Sequence, residues 1–217
     1  KEKILQSGLW PSIRQRPYHV IANPGDSPKS IFISGFDTAP LAPDYDFIVE
    51  NSSVSWLRTG VKALSRLTTG KINLSLKAGV DGNQILETLD NVALTYFSGP
   101  HPSGNVGVQI HHVDPVNKGE TVWYINLQDV IALGRLFDEG IYRPERVVAL
   151  TGSEVIAPQY YRMISGGSLI PLVEGKVKKG KLRYISGNVL TGRKTEPDGF
   201  LGFYNSQVTV IPEGDYS

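Results

Sequence analysis

The chain has 217 residues, with 22 Lys and Arg against 21 Asp and Glu, so its formal net charge is only +1. Binding of nucleic acid needs a local excess of Lys and Arg, so this balance disfavours nucleic acid as a partner. The absence of cysteine excludes disulfides, cysteine-based zinc sites, iron–sulfur clusters in this chain and a thiol nucleophile. The length suits one large domain or two small ones.

In the first two thirds of the chain, strand patterns alternate with helix patterns. The spacing of apolar residues from Val54 predicts a helix, and Asn126 and Gly140 are residues typical of the two ends of another helix. The segments 36–50 and 99–115 are predicted to be loops. Strands are predicted over residues 30–35, 71–76, 92–97, 121–125 and 146–150. This alternation predicts a mainly parallel sheet covered by helices.

The pattern changes after residue 150, where the segments become shorter. A turn at Gly166 and Gly167, a short helix over 168–173 and strands over 182–185 and 208–211 are typical of a small α+β module of the β-grasp kind. The sequence therefore predicts an N-terminal segment, 1–29, an α/β domain, 30–144, and a β-grasp domain, 145–217.

The segment 99–115 contains three of the four histidines and follows a predicted strand, where functional sites often lie. We consider His101, Gly104 and His111 as a possible loop site. His101, His111, His112 and Asp114 also carry suitable metal ligands, but neighbours in a strand point to opposite sides, so we predict no metal site. The other interpretation is that these histidines are only hydrogen-bonded core or surface residues.

The same segment has glycines in the pattern G-x4-G-x2-G, which lacks the Lys-Ser/Thr pair of a P-loop and the spacing of a dinucleotide loop. A standard nucleotide-binding motif is therefore absent from this sequence. The motif G-x-S-x-G is also absent, which disfavours a serine hydrolase.

The N-terminal segment 8–19 combines aromatic and cationic side chains on a backbone that is constrained by proline. Arg14, Arg16 and Tyr18 carry hydrogen-bond donors, and Trp10 offers a surface for stacking, so the segment suits a planar molecule with carbonyl groups. The alternative is that Trp10 only anchors the N-terminal segment to the domain.

Several short blocks resemble, in the same order, the A subunit of the sodium-translocating NADH:quinone oxidoreductase. The resemblance extends from about residue 7 to residue 214. The blocks are Gly8-Leu9-Trp10, Arg14-Gln15-Arg16-Pro17, Ile31-Phe32, Asp37-Thr38 with Pro40-Leu41, Leu64-Ser65 with Leu67-Thr68 and Gly70-Lys71, Gly99-Pro100-His101-Pro102, Gln128-Asp129-Val130-Ile131-Ala132 and Glu145-Arg146-Val147-Val148.

This resemblance implies a peripheral subunit on the cytoplasmic face of the bacterial inner membrane, in a respiratory pump that passes electrons from NADH to quinone. It implies a Rossmann-like domain followed by a soluble-ligand-binding β-grasp domain, with other subunits of the pump, including membrane subunits, as partners. It also implies that this chain holds no redox cofactor, while the whole complex uses NADH, flavins and iron–sulfur centres. The family's N-terminal lipoyl-like segment and C-terminal extension have no counterpart here, so we expect a central fragment.

The segment that resembles the family's quinone-associated region is 13–20. Arg14, Arg16 and Tyr18 can donate hydrogen bonds to quinone oxygens, while Pro17 holds the backbone. An alternative is a stand-alone flavin or NADH oxidoreductase, similar to the related subunit of the electron-transport complexes that reduce ferredoxin. A third hypothesis treats the last seventy or so residues as a protein- or glycan-binding β-grasp module.

Overall fold

The computed structural model describes residues 1–80 and 84–214, which form two compact units. The first unit contains Lys1–Thr38 and Asp44–Arg143, and the second contains Ala39–Pro43 and Pro144–Ser217. Each unit has its own sheet, so the prediction of a mixed α/β protein is confirmed. Within the described ranges, no helix is long and apolar enough to cross a bilayer.

The first unit is built on a six-stranded sheet with the order β2-β1-β6-β3-β4-β5. Strands β6, β3, β4 and β5 run parallel, whereas β1 pairs antiparallel with both β6 and β2. The strands are β1 (Arg14–Arg16), β2 (Val20–Ile21), β3 (Ile31–Ser34), β4 (Ile72–Lys77), β5 (Ala93–Phe97) and β6 (Val122–Asn126). In β3, Ile31, Phe32 and Ile33 are at most 1% exposed, as expected for a strand covered on both faces.

The helices of this unit are α1 (Glu2–Gln6), α2 (Tyr45–Glu50), α3 (Val54–Leu64), α4 (Gln84–Glu87), α5 (Val106–Val113) and α6 (Leu127–Glu139), with a 3₁₀ turn at Trp10–Ser12. Asn126 caps α6 by accepting a hydrogen bond from the Gln128 backbone N–H (2.9 Å), and Gly140 ends it at φ +80°. Helices α3 and α6 approach closely, since a Cβ on Gly134 would lie 1.6 Å from the Trp56 carbonyl oxygen.

Two of the predicted loops are wrong in part, because each contains a helix. Within 36–50, Asp44 caps α2 by accepting hydrogen bonds from the backbone N–H groups of Asp46 (2.9 Å) and Phe47 (3.4 Å). Within 99–115, α5 forms because Ile110 packs on Phe32 and buries one face of a short amphipathic helix.

The second unit has a five-stranded sheet with the order β10-β9-β11-β7-β8, in which only the β11–β7 pair is parallel. Its elements are β7 (Glu145–Thr151), β8 (Gln159–Ile164), α7 (Ile170–Val173), β9 (Leu182–Ser186), β10 (Arg193–Thr195) and β11 (Gln207–Pro212). A separate apolar core includes Val148, Leu150, Leu169, Val208 and Val210. The sequence does not predict strands β8 and β10, because their side chains are half-buried or exposed and show no strong apolar pattern.

Candidate functional site

Two arginines of β1 lie over the same aromatic ring. The antiparallel register places Arg14 opposite Tyr124 of β6, and Arg16 projects from the same face of β1 because side chains alternate along a strand. The guanidinium carbons of Arg14 and Arg16 lie 5.9 and 5.6 Å from the centre of the Tyr124 ring, within the range of cation–π interactions. The structure therefore brings together two of the predicted quinone-binding residues.

His19 completes this cluster from the turn that joins β1 to β2. Its ring stacks on Tyr124, with centroids 5.7 Å apart and planes 10° from parallel, and its Nδ1 is hydrogen-bonded to the Tyr124 hydroxyl. Arg14 Nη2 donates a hydrogen bond to the His19 carbonyl oxygen (2.8 Å). Desolvation, followed by the charges of Arg14 and Arg16, lowers the pKa of His19 below its usual value.

Arg16 is the cation of this cluster that protein acceptors satisfy least. Its Nε is buried and has no hydrogen-bond partner, and no ion pair involves Arg16 within the described residues. Its Nη2 lies against the first turn of α5, where a Cβ added to Gly107 would be 3.3 Å away. A half-buried guanidinium with an unused donor is available to an external acceptor.

The other two predicted quinone-binding residues lie at the solvent. Pro17 is exposed and follows a cis peptide bond, and the Tyr18 side chain is 83% exposed. Trp10 is instead a core residue: it is 4% exposed, donates from Nε1 to the Ala22 carbonyl oxygen (2.7 Å) and packs edge-on against Trp123. The anchoring role considered for Trp10 is therefore confirmed.

We define the Tyr124 cluster as Arg14, Arg16, His19 and Tyr124. His19 and Tyr124 are not predicted from the sequence, since only the register of β1 against β6 places them beside the arginines. The local signal is weak, because Tyr124 lies in an apolar strand that is typical of a core and His19 lies in a turn.

The possible loop site is divided between two environments. His101 Nδ1 is hydrogen-bonded to Thr38 Oγ1 (3.2 Å), and the same hydroxyl accepts from the Gly104 backbone N–H (2.9 Å). His111 is exposed on α5, where its ring packs edge-on against His112 with centroids 5.4 Å apart. The expectation that these two histidines belong to a strand is wrong, because neighbours on a helix diverge by roughly 100° instead of facing opposite sides.

The loop before α5 packs on the carboxyl end of β3. The chain switches here from β4 on one side of β3 to β6 on the other, which is where open α/β sheets commonly bind ligands. Ser34 Oγ contacts the Gly104 carbonyl oxygen (3.4 Å) and accepts from Gln109 Nε2 (3.0 Å). A Cβ on Gly104 would lie 2.5 Å from the Thr38 nitrogen, so the loop and the β3 end are in tight contact. No group of three metal-binding side chains occurs in residues 1–80 and 84–214.

Comparison with protein families assigns both units to one family. The family described as the NqrA second alpha/beta domain matches residues 1–142, and the family described as the NQRA C-terminal domain matches residues 147–196. The chain belongs to the NqrA family. The resemblance inferred from the short sequence blocks is therefore confirmed.

Curated NqrA relatives carry the name of the A subunit of the Na(+)-translocating NADH-quinone reductase. The proteins of Yersinia pestis (strain Angola) and Saccharophagus degradans are 43% and 40% identical over 97% and 98% of this chain. The protein of Neisseria meningitidis serogroup A is 40% identical over 99% of the chain. The chain spans about half the length of these relatives, 47% in each case.

Among solved structures, two chains from an NAD+-reducing [NiFe]-hydrogenase share the fold. The air-oxidised form superposes with a TM-score of 0.62 over 97% of this chain and 46% of the other. The H2-reduced form superposes with a TM-score of 0.58 over 87% and 41%. Sequence identity is 15% in both, so the likeness concerns the fold alone.

Proposed function

We propose that this chain is a central part of the A subunit of a Na+-translocating NADH-quinone reductase, and that the Tyr124 cluster binds the quinone. The observation that carries the site is the convergence of Arg14 and Arg16 on Tyr124, with an unused buried donor on Arg16. The printed names of the relatives support the complex and its quinone substrate.

The chemistry of a quinone suits these side chains. A quinone is a flat ring whose carbonyl oxygens accept hydrogen bonds, and a guanidinium donates several bonds in a planar fork. Tyr124 and His19 present stacked aromatic surfaces beside the two arginines. Tyr18 offers an exposed phenol at the same turn, and Pro17 fixes the backbone between Arg16 and Tyr18.

The remaining properties of the subunit follow from membership of the complex. We expect the chain to be peripheral on the cytoplasmic face of the bacterial inner membrane and to contact other subunits, including membrane subunits. In this proposal the first unit is Rossmann-like and the second is a soluble-ligand-binding β-grasp domain. NADH, flavins and iron–sulfur centres act elsewhere in the complex, and this chain carries no redox cofactor.

The second candidate is a flavin- or NADH-dependent oxidoreductase, which is favoured by the fold likeness to a chain of an NAD+-reducing hydrogenase. A flavin at the carboxyl end of β3 would have to fit where Gly104 already packs on Thr38 and Ser34. The residues present do not suit such a group at that place. Titration of the protein with FMN, followed by flavin fluorescence, tests this candidate, and saturable binding would favour it over the first.

The quinone proposal is tested by titrating labelled protein with a short-chain ubiquinone and following amide chemical shifts. We expect saturable shifts around β1 and β6, and weaker binding by about tenfold in Arg14→Gln, since one charge-assisted hydrogen bond is lost. Tyr18→Phe should weaken binding less, because the phenol is exposed to competing water. Arg66→Gln, an exposed arginine of the same unit, is the matched control. Unchanged curves for Arg14→Gln and Tyr18→Phe would remove this site.

A further inference from the structure

The Tyr124 cluster carries two full positive charges and a neutral imidazole. Arg14 and Arg16 both lie within 6 Å of the Tyr124 ring centre, and neither His19 nor Tyr124 supplies a negative charge at neutral pH. The lowered pKa of His19 reports the same positive potential, since both arginines contribute to it. Two like charges held together are favourable only where solvent or a ligand balances them.

We infer that the Tyr124 cluster selects quinones that carry an anionic oxygen, so that an ionised hydroxyquinone binds in preference to a neutral quinone of the same shape. This inference rests on the proposed quinone site and adds the charge of the ligand to it. The guanidinium of Arg16 is the main determinant of the preference, because its buried Nε lacks an acceptor in the protein.

The position of Arg16 makes its charge effective. Its side chain is half-buried between the Tyr124 ring and the first turn of α5, where the local dielectric is lower than in water. An anionic oxygen there gains a charge-assisted hydrogen bond, which is stronger than the bond to a neutral carbonyl. The remainder of a flat ring can stack at the Tyr124 and His19 surfaces, so the ligand is a planar organic anion.

The probes are 2-hydroxy-1,4-naphthoquinone, an acidic quinone that is ionised at neutral pH, and 2-methoxy-1,4-naphthoquinone, a neutral ring of similar shape. We expect the dissociation constant of the anion to be lower by about tenfold at low salt. The ratio should fall as NaCl is raised, because salt screens a partly exposed charge. Inorganic phosphate at millimolar concentration should not displace the hydroxyquinone, because it offers no ring to stack.

The variants assign the preference to one side chain. Arg16→Gln should bring the two dissociation constants within about twofold of each other, and Arg16→Lys should retain part of the preference because it keeps the charge but not the fork. Arg66→Gln should leave the ratio unchanged. Thermal melts of each variant identify any that fail to fold, and in that case Arg16→Lys carries the comparison.

Failure of this inference differs from failure of the proposed function. If wild-type protein binds both probes equally and Arg14→Gln weakens both, the site is a quinone site without charge selection, and the inference is wrong. If phosphate displaces the hydroxyquinone, the cluster is a general anion site, which also overturns the inference. If neither probe binds and the ubiquinone titration gives no shifts, the proposed function itself fails.

Discussion

At the residue scale, Tyr124 determines where the two arginines lie. A single cation–π interaction at a partly exposed site contributes only about 0.5–1 kcal/mol, so the ring orients the guanidinium groups without neutralising them. Arg14 is further held by its hydrogen bond to the His19 carbonyl oxygen (2.8 Å), whereas Arg16 keeps a donor unused. The two arginines therefore differ in role: Arg14 stabilises the turn, and Arg16 is able to meet a ligand.

The pKa of His19 reflects the field of these arginines. It lies below 6.5 because of desolvation first and the charges of Arg14 and Arg16 second, so Arg14→Gln and Arg16→Gln should each raise it towards 6.5. Because the pKa is lower in the folded than in the unfolded chain, stability is lost as the pH falls from 6.5 through the folded value. Titration of the imidazole carbon resonances checks the two pKa changes, and urea unfolding across this pH range checks the loss of stability. Arg66→Gln is the control, and a pKa that stays fixed in both β1 variants would contradict the assignment.

At the element scale, the segment from the loop before α5 into its first turn contains two glycines with different constraints. A Cβ on Gly104 would meet Thr38 backbone at 2.5 Å, so Gly104→Ala should lower the free energy of unfolding by about 1–3 kcal/mol. A Cβ on Gly107 would meet only the end of the flexible Arg16 side chain at 3.3 Å, and alanine is the better helix former. Gly107→Ala should therefore be neutral or slightly stabilising in urea unfolding. Equal losses in both variants would contradict this account of the loop.

The sequence predicts elements whose signals are local. Helix α6 is predicted correctly because Asn126 caps it and Gly140 adopts the left-handed conformation that ends it. Helix α5 is not predicted, although Val106, Ile110 and Val113 recur at helical spacing, because its glycine and histidines are also typical of a loop. Strand β1 is not predicted because three polar residues show no apolar alternation, and its place in the sheet depends on pairing with β6.

The site shows the same division between local and long-range information. Arg14 and Arg16 can be chosen from residue type and from family resemblance, and the structure places them together. Tyr124 lies on β6, far along the chain from either arginine, so only the sheet register reveals it. Residue chemistry therefore predicts candidate ligands, whereas pairing between distant strands decides which of them form one cluster.

At the scale of the whole molecule, the second unit recruits a segment from far earlier in the chain. Residues Ala39–Pro43 group with Pro144–Ser217, and Gln207 Nε2 donates a hydrogen bond to the Pro40 carbonyl oxygen (3.1 Å). A division of the chain at one point, between 144 and 145, does not describe this exchange. We propose that the two units nevertheless unfold as separate cooperative domains, because each has its own sheet and apolar core.

Matched core truncations test this proposal. Leu74 in β4 and Leu150 in β7 are both fully buried, so Leu74→Ala and Leu150→Ala should each cost about 2–5 kcal/mol in the unit that contains the cavity. Hydrogen exchange followed by mass spectrometry should show faster exchange in β3–β6 for Leu74→Ala and in β7–β11 for Leu150→Ala. Arg58→Ala, an exposed position on α3, should change neither region. If either truncation accelerates exchange equally in both sheets, the chain unfolds as one cooperative domain, because a local cavity then destabilises all of the protected structure together.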